Sequence, residues 1–402
     1  MPPFNLLRFL AGLISLGLLA ASIYLLWTFA RGEELLDPDG VPRRVREDWR
    51  LWTGAALLAW SLLGRFPMLF VLARKDDGGP DAHHHGRGVM LQTPRGSDLH
   101  VETYGPAGAP VIVLTHGWGM DSTFWRAAKA QLGDRFRLVA WDLPGLGRSK
   151  PGRGGITLEG FAEDLKAVVD HAGGRPVLVG HSIGGMTIQT LLRDDLHFQG
   201  RLAGLVLLNT TFTNPLRTMV FSKLLLGLQG VLEQAMKLTV ILKPVAWLAN
   251  WQGYLSGSAH LAHRLGFGRS VTRSQLEHVT LLAVRNSPAA EAKGNLAMFH
   301  WHADGALERV HAPTLVVGGD MDIVTKLEAS ERIASVNPKA EFRVVRGSNH
   351  LGPLEQAAEY NDIIADFTLR VQRALPADAP ISTAVERTRE NRLFPDQPSP
   401  ET

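Results

Sequence analysis

The amino-acid sequence predicts an α/β fold in which helices cover both faces of a mostly parallel sheet, preceded by one or two membrane-spanning helices. Three observations lead to this prediction. Short, continuously apolar runs alternate with amphipathic helical patterns over residues 89–375, as in a sheet that is buried on both faces. A mostly helical insertion, over about 212–295, interrupts the alternation once. Two long apolar stretches lie within the first 75 residues.

The composition excludes several classes of protein. The chain has 402 residues, of which 45% are hydrophobic and 20% charged, so it is neither disordered nor fibrous. It has no cysteine, which excludes a thiol nucleophile, disulfides and thiolate metal sites. The net charge is only +3, with both signs scattered along the chain, and no nucleic acid is expected as a partner.

The first apolar stretch, residues 10–29, has 20 consecutive uncharged residues, enough to cross a hydrocarbon core of about 30 Å. It ends in Leu25–Phe29 rather than in small residues, which favours an uncleaved anchor over a signal peptide. The second stretch, residues 51–73, is interrupted only by Arg65 and Pro67. It predicts a second span, and the alternative is an interfacial helix broken at Pro67.

Positive charges near these stretches predict the orientation in the membrane. The loop between them carries a cluster of arginines, and such a cluster favours the cytoplasmic side. A hairpin with this loop inside places the following domain outside the cytoplasm. A single span with its amino terminus inside gives the same outer location, whereas two spans with both termini inside give a cytoplasmic one. The arginines are Arg31, Arg43, Arg44, Arg46 and Arg50.

Two segments flank the predicted folded domain. Residues 76–88 are polar and rich in glycine and are expected to form a linker. This linker contains His83, His84 and His85, which are expected to be solvated rather than to bind a metal. Residues 376–402 are rich in proline and poor in apolar residues, so we expect a disordered tail.

The third of the apolar runs, around Val177–Val179, leads into Gly180-His181-Ser182-Ile183-Gly184 and then a helical pattern. This G-x-S-x-G sequence predicts a sharp strand-to-helix turn that exposes the serine hydroxyl, with small residues two positions to either side. Ser182 is therefore a candidate nucleophile. The other predicted strands are 111–114, 137–141, 205–208, 315–317 and 342–345.

A serine hydroxyl needs a base, and the base needs an orienting acid. Asp320 and Asp322 follow the predicted strand at 315–317, and His350 follows the next strand. Both strands end at the sheet edge where active sites of open α/β sheets lie. The chain order is therefore serine, aspartate, histidine, with either aspartate as the acid.

With these motifs, the chain resembles the α/β-hydrolase fold superfamily, in its serine-nucleophile branch, over roughly residues 89–375. Besides the serine turn, residues 115–119 (THGWG) resemble the family's oxyanion loop, and residues 142–149 (DLPGLGRS) resemble the loop after the next strand. The resemblance implies Ser182 as nucleophile, His350 as general base and Asp322 as acid. It also implies an oxyanion hole made by the backbone N–H groups of Ile183 and Trp118, with no cofactor and no metal.

The resemblance implies hydrolysis through an acyl-enzyme, and the insertion suggests the substrate. We call this insertion, over about 212–295, the cap. Its residues 219–255 carry only four charges in 37 residues, so the cap is expected to bind apolar acyl groups or to touch the membrane. The predicted function is a membrane-anchored lipase or carboxylesterase acting on small-molecule or lipid esters at the bilayer. The alternative activities are those of a peptidase or amidase, a thioesterase, a carbon–carbon hydrolase and a cofactor-free perhydrolase. A further alternative, from a different class, is a non-catalytic binding protein.

Overall fold

The computed structural model describes residues 2–76, 86–337 and 339–375. The chain forms two compact units. The first, called here the cap–anchor unit, is made of Met1–Ala82 and Lys223–Leu296. The second, called the catalytic unit, is made of His83–Ser222 and Ala297–Thr402. The histidines at 83–85 and the predicted tail at 376–402 lie outside the described residues.

The catalytic unit is built on an eight-stranded sheet with the order β10-β9-β8-β7-β5-β6-β4-β3. Neighbouring strands from β10 to β6 are parallel, and β3 and β4 are antiparallel. A separate pair, β1 and β2, lies in the cap–anchor unit. The strands are β1 (Glu33–Leu36), β2 (Pro42–Val45), β3 (Gly88–Gln92), β4 (Asp98–Tyr104), β5 (Val111–Thr115), β6 (Arg137–Trp141), β7 (Val177–His181), β8 (Gly204–Leu208), β9 (Thr314–Gly319) and β10 (Ala340–Val345).

Helices lie between the parallel strands and also form most of the insertion after β8. They are α1 (Pro2–Arg31), α2 (Asp48–Leu63), α3 (Arg65–Leu72), α4 (Arg126–Leu132), α5 (Leu158–Ala172), α6 (Ile183–Asp194), α7 (Pro215–Thr218), α8 (Ser222–Gly227), α9 (Gln229–Ile241), α10 (Lys243–Leu255), α11 (Ser258–Arg264), α12 (Arg273–Arg285), α13 (Pro288–Phe299), α14 (Leu327–Val336), α15 (Gly352–Glu355) and α16 (Ala357–Arg373).

The parallel strands form because both of their faces are buried. Every residue of β7 and β8 is buried. Leu178 of β7 and Leu205 and Leu207 of β8 belong to one core with the apolar faces of α5 and α6. Thr157 begins α5 by accepting a hydrogen bond from the Gly160 amide at 3.0 Å, as an N-cap residue does. The predicted α/β fold with a mostly parallel sheet and a helical insertion is confirmed.

The cap–anchor unit contains the apolar stretches of the amino-terminal region. Within α1, the 25-residue segment Leu7–Arg31 reaches a mean hydropathy of 2.2 and is long and apolar enough to cross a membrane. The second stretch is not one straight helix, because α2 and α3 meet at an angle of 61°. The break lies at Gly64, and Pro67 falls in the first turn of α3, where a missing backbone N–H costs little.

Candidate active site

Ser182 occupies the turn between β7 and α6 with φ 53° and ψ −117°, a backbone conformation that residues other than glycine rarely adopt. Its amide donates to the Leu208 carbonyl at 3.0 Å, and its own carbonyl accepts from the Thr210 hydroxyl at 2.6 Å. These contacts with β8 and the loop after it hold the strained turn in place. The serine side chain consequently stands at the amino-terminal end of α6.

The glycines around Ser182 are required by close backbone contacts. A Cβ atom at Gly180 would lie 2.5 Å from the Gly184 carbonyl carbon, and one at Gly184 would lie 2.4 Å from the Thr115 carbonyl oxygen. Both distances are far below van der Waals contact. The sequence-based reason for small residues at these two positions therefore agrees with the geometry.

His350, Asp322 and Ser182 form one hydrogen-bonded chain. The Nε2 atom of His350 lies 3.0 Å from the Ser182 Oγ atom, and Nδ1 lies 3.0 Å from Oδ2 of Asp322. The side chains of His350 and Asp322 are completely buried. With Nδ1 donating to the carboxylate, Nε2 is left to accept the serine proton.

The Asp322 carboxylate is ionised in this environment. Burial alone raises the pKa of this group, but the neighbouring His350 and the hydrogen bonds from His350, Val324 and Thr325 lower it below the ordinary aspartate value. The amides of Val324 and Thr325 donate to Oδ1 at 2.8 and 2.9 Å. The buried negative charge is therefore compensated by donors that are already in place.

Asp320, the other candidate acid, points elsewhere. Its Oδ1 atom accepts a hydrogen bond from the Gly347 amide at 2.7 Å, and its Oδ2 atom lies 3.8 Å from the Arg346 guanidinium. Its role in the structure is to hold the turn that follows β10. The geometry brings Asp322, rather than Asp320, to the histidine.

Asn209, directly after β8, hydrogen-bonds to Asp322 and was not found by sequence reasoning. Its Nδ2 atom donates to Oδ2 of Asp322 at 3.1 Å, while its Oδ1 atom accepts from the Tyr360 hydroxyl at 2.8 Å. The hydroxyl of Thr325 also donates to Oδ2, at 2.8 Å. No local sequence pattern indicates Asn209, because its partners lie 113 and 151 residues away.

The two residues expected to form the oxyanion hole lie in loops that leave the same sheet edge. Ile183 begins α6 directly after Ser182, and Trp118 follows β5, which pairs with β7 through Thr115 and Gly180. A Cβ atom at Gly117 would lie 3.5 Å from the Ser182 Cβ atom. The loop that carries Trp118 thus passes close to the serine side chain.

His116 and Asp142 hold these loops in shape. The Nδ1 atom of His116 donates to the Gly117 carbonyl at 2.8 Å, and Nε2 accepts from the Leu143 amide at 3.0 Å. The Asp142 carboxylate accepts from the amides of Ser122 at 2.7 Å and Arg148 at 2.8 Å. Each side chain therefore spans two loops at the same edge of the sheet.

His181 contacts the backbone of His350 from within the serine turn. Its Nε2 atom donates to the His350 carbonyl at 2.8 Å, and its ring stacks on Phe124 with centroids 4.8 Å apart. Burial, followed by the charge of His350, lowers the pKa of His181 to about 3. His181 is therefore neutral near pH 7 and acts as a hydrogen-bond donor.

The fold and this Ser–His–Asp arrangement define an α/β hydrolase-like protein, and comparison with known proteins gives the family. The α/β-hydrolase fold family model matches residues 110–357, more than half of the 402 residues. The chain belongs to the α/β-hydrolase fold family.

Individual relatives agree with this membership. The non-heme chloroperoxidase CPO-A1 of Kitasatospora aureofaciens is 28% identical over 265 residues, which cover 65% of this chain and 91% of that protein. The bifunctional esterase/perhydrolase DCH of Acinetobacter calcoaceticus is 41% identical over 97 residues, 24% of this chain and 35% of that protein. The structure of a thermophilic esterase from Thermogutta terrifontis has the same fold, with a TM-score of 0.56 and 24% identity over 71% of this chain and 99% of that chain.

Proposed function

We propose that this protein is a membrane-anchored serine hydrolase that cleaves carboxylic esters with apolar acyl groups through an acyl-enzyme. The observation that carries the proposal is the continuous hydrogen-bonded chain from the Ser182 hydroxyl through His350 to the buried Asp322 carboxylate. A nucleophile, a base and an orienting acid in this order are what acyl transfer from an ester needs.

In the first half of the reaction, His350 takes the Ser182 proton on Nε2 while Oγ attacks the ester carbonyl. Asp322 stabilises the imidazolium through Nδ1. The amides of Ile183 and Trp118 donate to the oxyanion of the tetrahedral intermediate, and one such donor typically contributes about 10²–10³-fold in rate. His350 then gives its proton to the leaving alcohol, which leaves the acyl group on Ser182.

In the second half, His350 removes a proton from water, and the resulting hydroxide attacks the acyl-enzyme. Collapse of the second tetrahedral intermediate breaks the acyl–Ser182 bond and returns the proton from His350 to Oγ. The released product is a carboxylic acid. Because Ser182 rather than a carboxylate is the nucleophile, the intermediate is an ordinary ester that water can hydrolyse.

Two observations support apolar esters as substrates. Relatives and structural neighbours are named as esterases, and residues 219–255 of the cap carry only four charges. An apolar cap suits an acyl chain, whereas a peptidase that holds a free amine needs acidic groups, and Glu233 is the one acidic residue within this stretch. Esters of fatty acids fit these features better than peptides do.

The membrane part of the proposal depends on α1, which has the length and hydropathy of a membrane span. With the arginine-rich loop between α1 and α2 inside the cell, the catalytic unit lies outside the cytoplasm, in the periplasm if the source is a Gram-negative bacterium. There the enzyme meets ester substrates that partition into the bilayer.

A second candidate activity is perhydrolysis, in which hydrogen peroxide replaces water as the attacker of the acyl-enzyme. It is favoured by the names of two relatives, the bifunctional esterase/perhydrolase and the non-heme chloroperoxidase. The same side chains serve both reactions. Peracid formation from a short-chain ester and peroxide, measured beside hydrolysis, tells whether this protein performs the second reaction.

A substrate screen tests the ester proposal. We expect the purified protein to hydrolyse p-nitrophenyl esters, with kcat/KM rising as the acyl chain lengthens from acetate. An aminoacyl p-nitroanilide and an acyl thioester with matched chains serve as controls. Faster turnover of the anilide or the thioester than of the matched ester would replace the esterase assignment by an amidase or thioesterase one.

A further inference from the structure

The helix α1 has an unusual distribution of side chains. Its buried positions carry small or polar residues, namely Arg8, Gly12, Ser15 and Ser22. Its exposed positions carry large apolar residues, among them Leu10, Ile14, Leu18 and Ile23. In water the opposite arrangement is stable, because apolar side chains gain most from burial.

The cap packs against the buried face of α1. The guanidinium of Arg8 pairs with the Glu291 carboxylate in α13 at 2.5 Å, and both side chains are 4% exposed. The Ser15 hydroxyl lies 2.8 Å from the Ser256 hydroxyl, just after α10. A Cβ atom at Gly12 would lie 2.3 Å from the Ala249 carbonyl oxygen of α10.

These contacts are typical of helices that associate within a bilayer. Lipid offers little hydrophobic drive for helices to associate, so small residues that allow close approach and polar side chains that hydrogen-bond across the contact hold them together. An ionic side chain at membrane depth is tolerated when it is paired inside the protein, as Arg8 is with Glu291. The cap therefore packs against the amino-terminal half of α1. If α1 crosses a bilayer, the cap lies at the same depth in that bilayer as this half of the helix.

The outer faces of α9 and α10 continue the apolar surface of α1. Ile241 is 74% exposed, Trp247 50% and Leu248 51%. Residues 238–263 of the sequence contain one charged residue, Lys243, besides histidine. The helices α1, α9, α10 and α13 also share a cavity of about 20 Å³ lined by Arg8, Met236, Asn250 and Glu291. The polar side chains of Arg8, Asn250 and Glu291 thus face this interior beside apolar ones such as Met236. Ile241, Trp247 and Leu248 face outward.

We propose that the cap is an intramembrane element: α9 and α10 lie in the lipid bilayer beside the amino-terminal half of α1, and the acyl chains of the lipids cover Ile241, Trp247 and Leu248. This inference rests on the proposed membrane anchoring and extends it from a tether to a lipid-embedded cap. The apolar segment of α1 is longer than the hydrocarbon core is thick, so lipid covers the exposed face of this helix across the bilayer. The helices that pack on the buried face of α1 lie beside it and therefore contact the same lipid.

The test uses single cysteines, which the chain offers cleanly because it has none of its own. Nitroxide labels are placed at Ile241→Cys and Leu248→Cys in the full chain, reconstituted into vesicles of phosphatidylcholine and phosphatidylglycerol. Ile14→Cys, on the exposed face of α1, reports the lipid phase. Arg269→Cys, at an exposed position of the same unit, reports water. Accessibility to oxygen is compared with accessibility to a water-soluble nickel chelate.

We expect the labels at Ile241 and Leu248 to match the label at Ile14, with high oxygen and low nickel accessibility, and to differ from the label at Arg269. If the cap labels match the label at Arg269 while the label at Ile14 shows the accessibility expected in lipid, the intramembrane cap is wrong and the proposed membrane anchoring is retained. If Ile14 itself is open to nickel, or if alkaline carbonate releases the protein from vesicles, the proposed anchoring fails and the cap inference fails with it. Ester hydrolysis is measured separately and is independent of either result.

Discussion

At the scale of single residues, hydrogen bonds distinguish Asp322, the proposed acid, from its neighbour Asp320. Asp322 accepts from the Val324 and Thr325 amides, the Thr325 hydroxyl and the Asn209 amide group before it meets His350. Asp320 accepts from the Gly347 amide. A buried carboxylate with this many donors keeps both its charge and its orientation.

Substitutions of the triad test this division of roles. We expect Ser182→Ala and His350→Ala each to lower kcat for a p-nitrophenyl ester by on the order of 10⁶-fold, because nucleophile and base act as a unit. Asp322→Asn should cost less, on the order of 10⁴-fold, since the acid orients the imidazole. The matched control Asp320→Asn should leave kcat/KM within a few-fold of the wild type. A larger loss for Asp320→Asn than for Asp322→Asn would contradict the assignment.

The buried neutral state of His181 gives a prediction about pH. Its folded pKa is about 3 against an ordinary value of 6.5, so between these values the unfolded chain binds a proton that the folded chain does not. Stability therefore falls as pH drops below 6.5, by about 2 kcal/mol from pH 7 to pH 5 for this one group. His181→Gln keeps a side-chain donor but does not titrate.

The measurement is thermal unfolding in detergent at pH 7 and at pH 5. We expect the fall in Tm between the two pH values to be smaller for His181→Gln than for the wild type. Titrating groups that do not contact His181 contribute equally to both proteins and cancel in the comparison. Equal falls in Tm would mean that His181 is protonated in the folded protein.

At the scale of helices and strands, the sequence predicted the parallel strands of the sheet better than its antiparallel edge. The run at 205–208 became β8 (Gly204–Leu208) because continuously apolar residues have a stable place only between two covered faces. The antiparallel strands β3 and β4 were not predicted. Most of β3 is exposed, and β4 mixes charged with apolar residues, so neither has the pattern of a buried strand.

The candidate site was proposed from the order of Ser182, Asp322 and His350 after successive strands. The structure brings these three side chains within hydrogen-bond distance of one another. Asn209 and the contact of His181 with His350 depend on partners more than 100 residues away. The grouping of α1 with the cap was not predictable for the same reason, since Arg8 and Glu291 are 283 residues apart.

The close contact at Gly12 gives a prediction about the packing of α1 on α10. Gly12→Leu places its Cβ atom 2.3 Å from the Ala249 carbonyl oxygen, so the two helices must separate, at a cost of about 1–3 kcal/mol. Gly17→Leu is the matched control, because a Cβ atom there has no heavy atom within 4 Å. We expect Gly12→Leu to lower the Tm in detergent and Gly17→Leu to leave it unchanged. Equal effects of the two substitutions would argue against this packing.

At the scale of the whole molecule, the orientation in the membrane is a proposal that rests on the pattern of positive charges near the apolar helices. The proposed orientation depends on the arginine-rich loop between α1 and α2. With this loop on the cytoplasmic side, a hairpin of two spans would place both the amino terminus and the catalytic unit outside the cytoplasm. A single span with its amino terminus inside would place only the catalytic unit outside.

Topology reporters test this prediction. We expect alkaline phosphatase fused after Thr402 to be active, and a cysteine tag before Met1 to react in intact cells with a membrane-impermeant maleimide. Both results place the termini outside, as the arginine-rich loop predicts. A protected tag with an active phosphatase would put the termini on opposite sides of the membrane and replace the hairpin by a single span. A protected tag with an inactive phosphatase would reverse the orientation only.

The central claim is that Ser182 is the activated nucleophile of a hydrolase, and covalent labelling by a fluorophosphonate tests it most directly. The probe reacts with a serine that a neighbouring base has activated. We predict a single adduct, mapped by mass spectrometry to Ser182 in the folded full-length protein, absent in Ser182→Ala and slowed at least 100-fold in His350→Ala. An unlabelled wild-type protein, or an adduct that persists in Ser182→Ala, would contradict the claim.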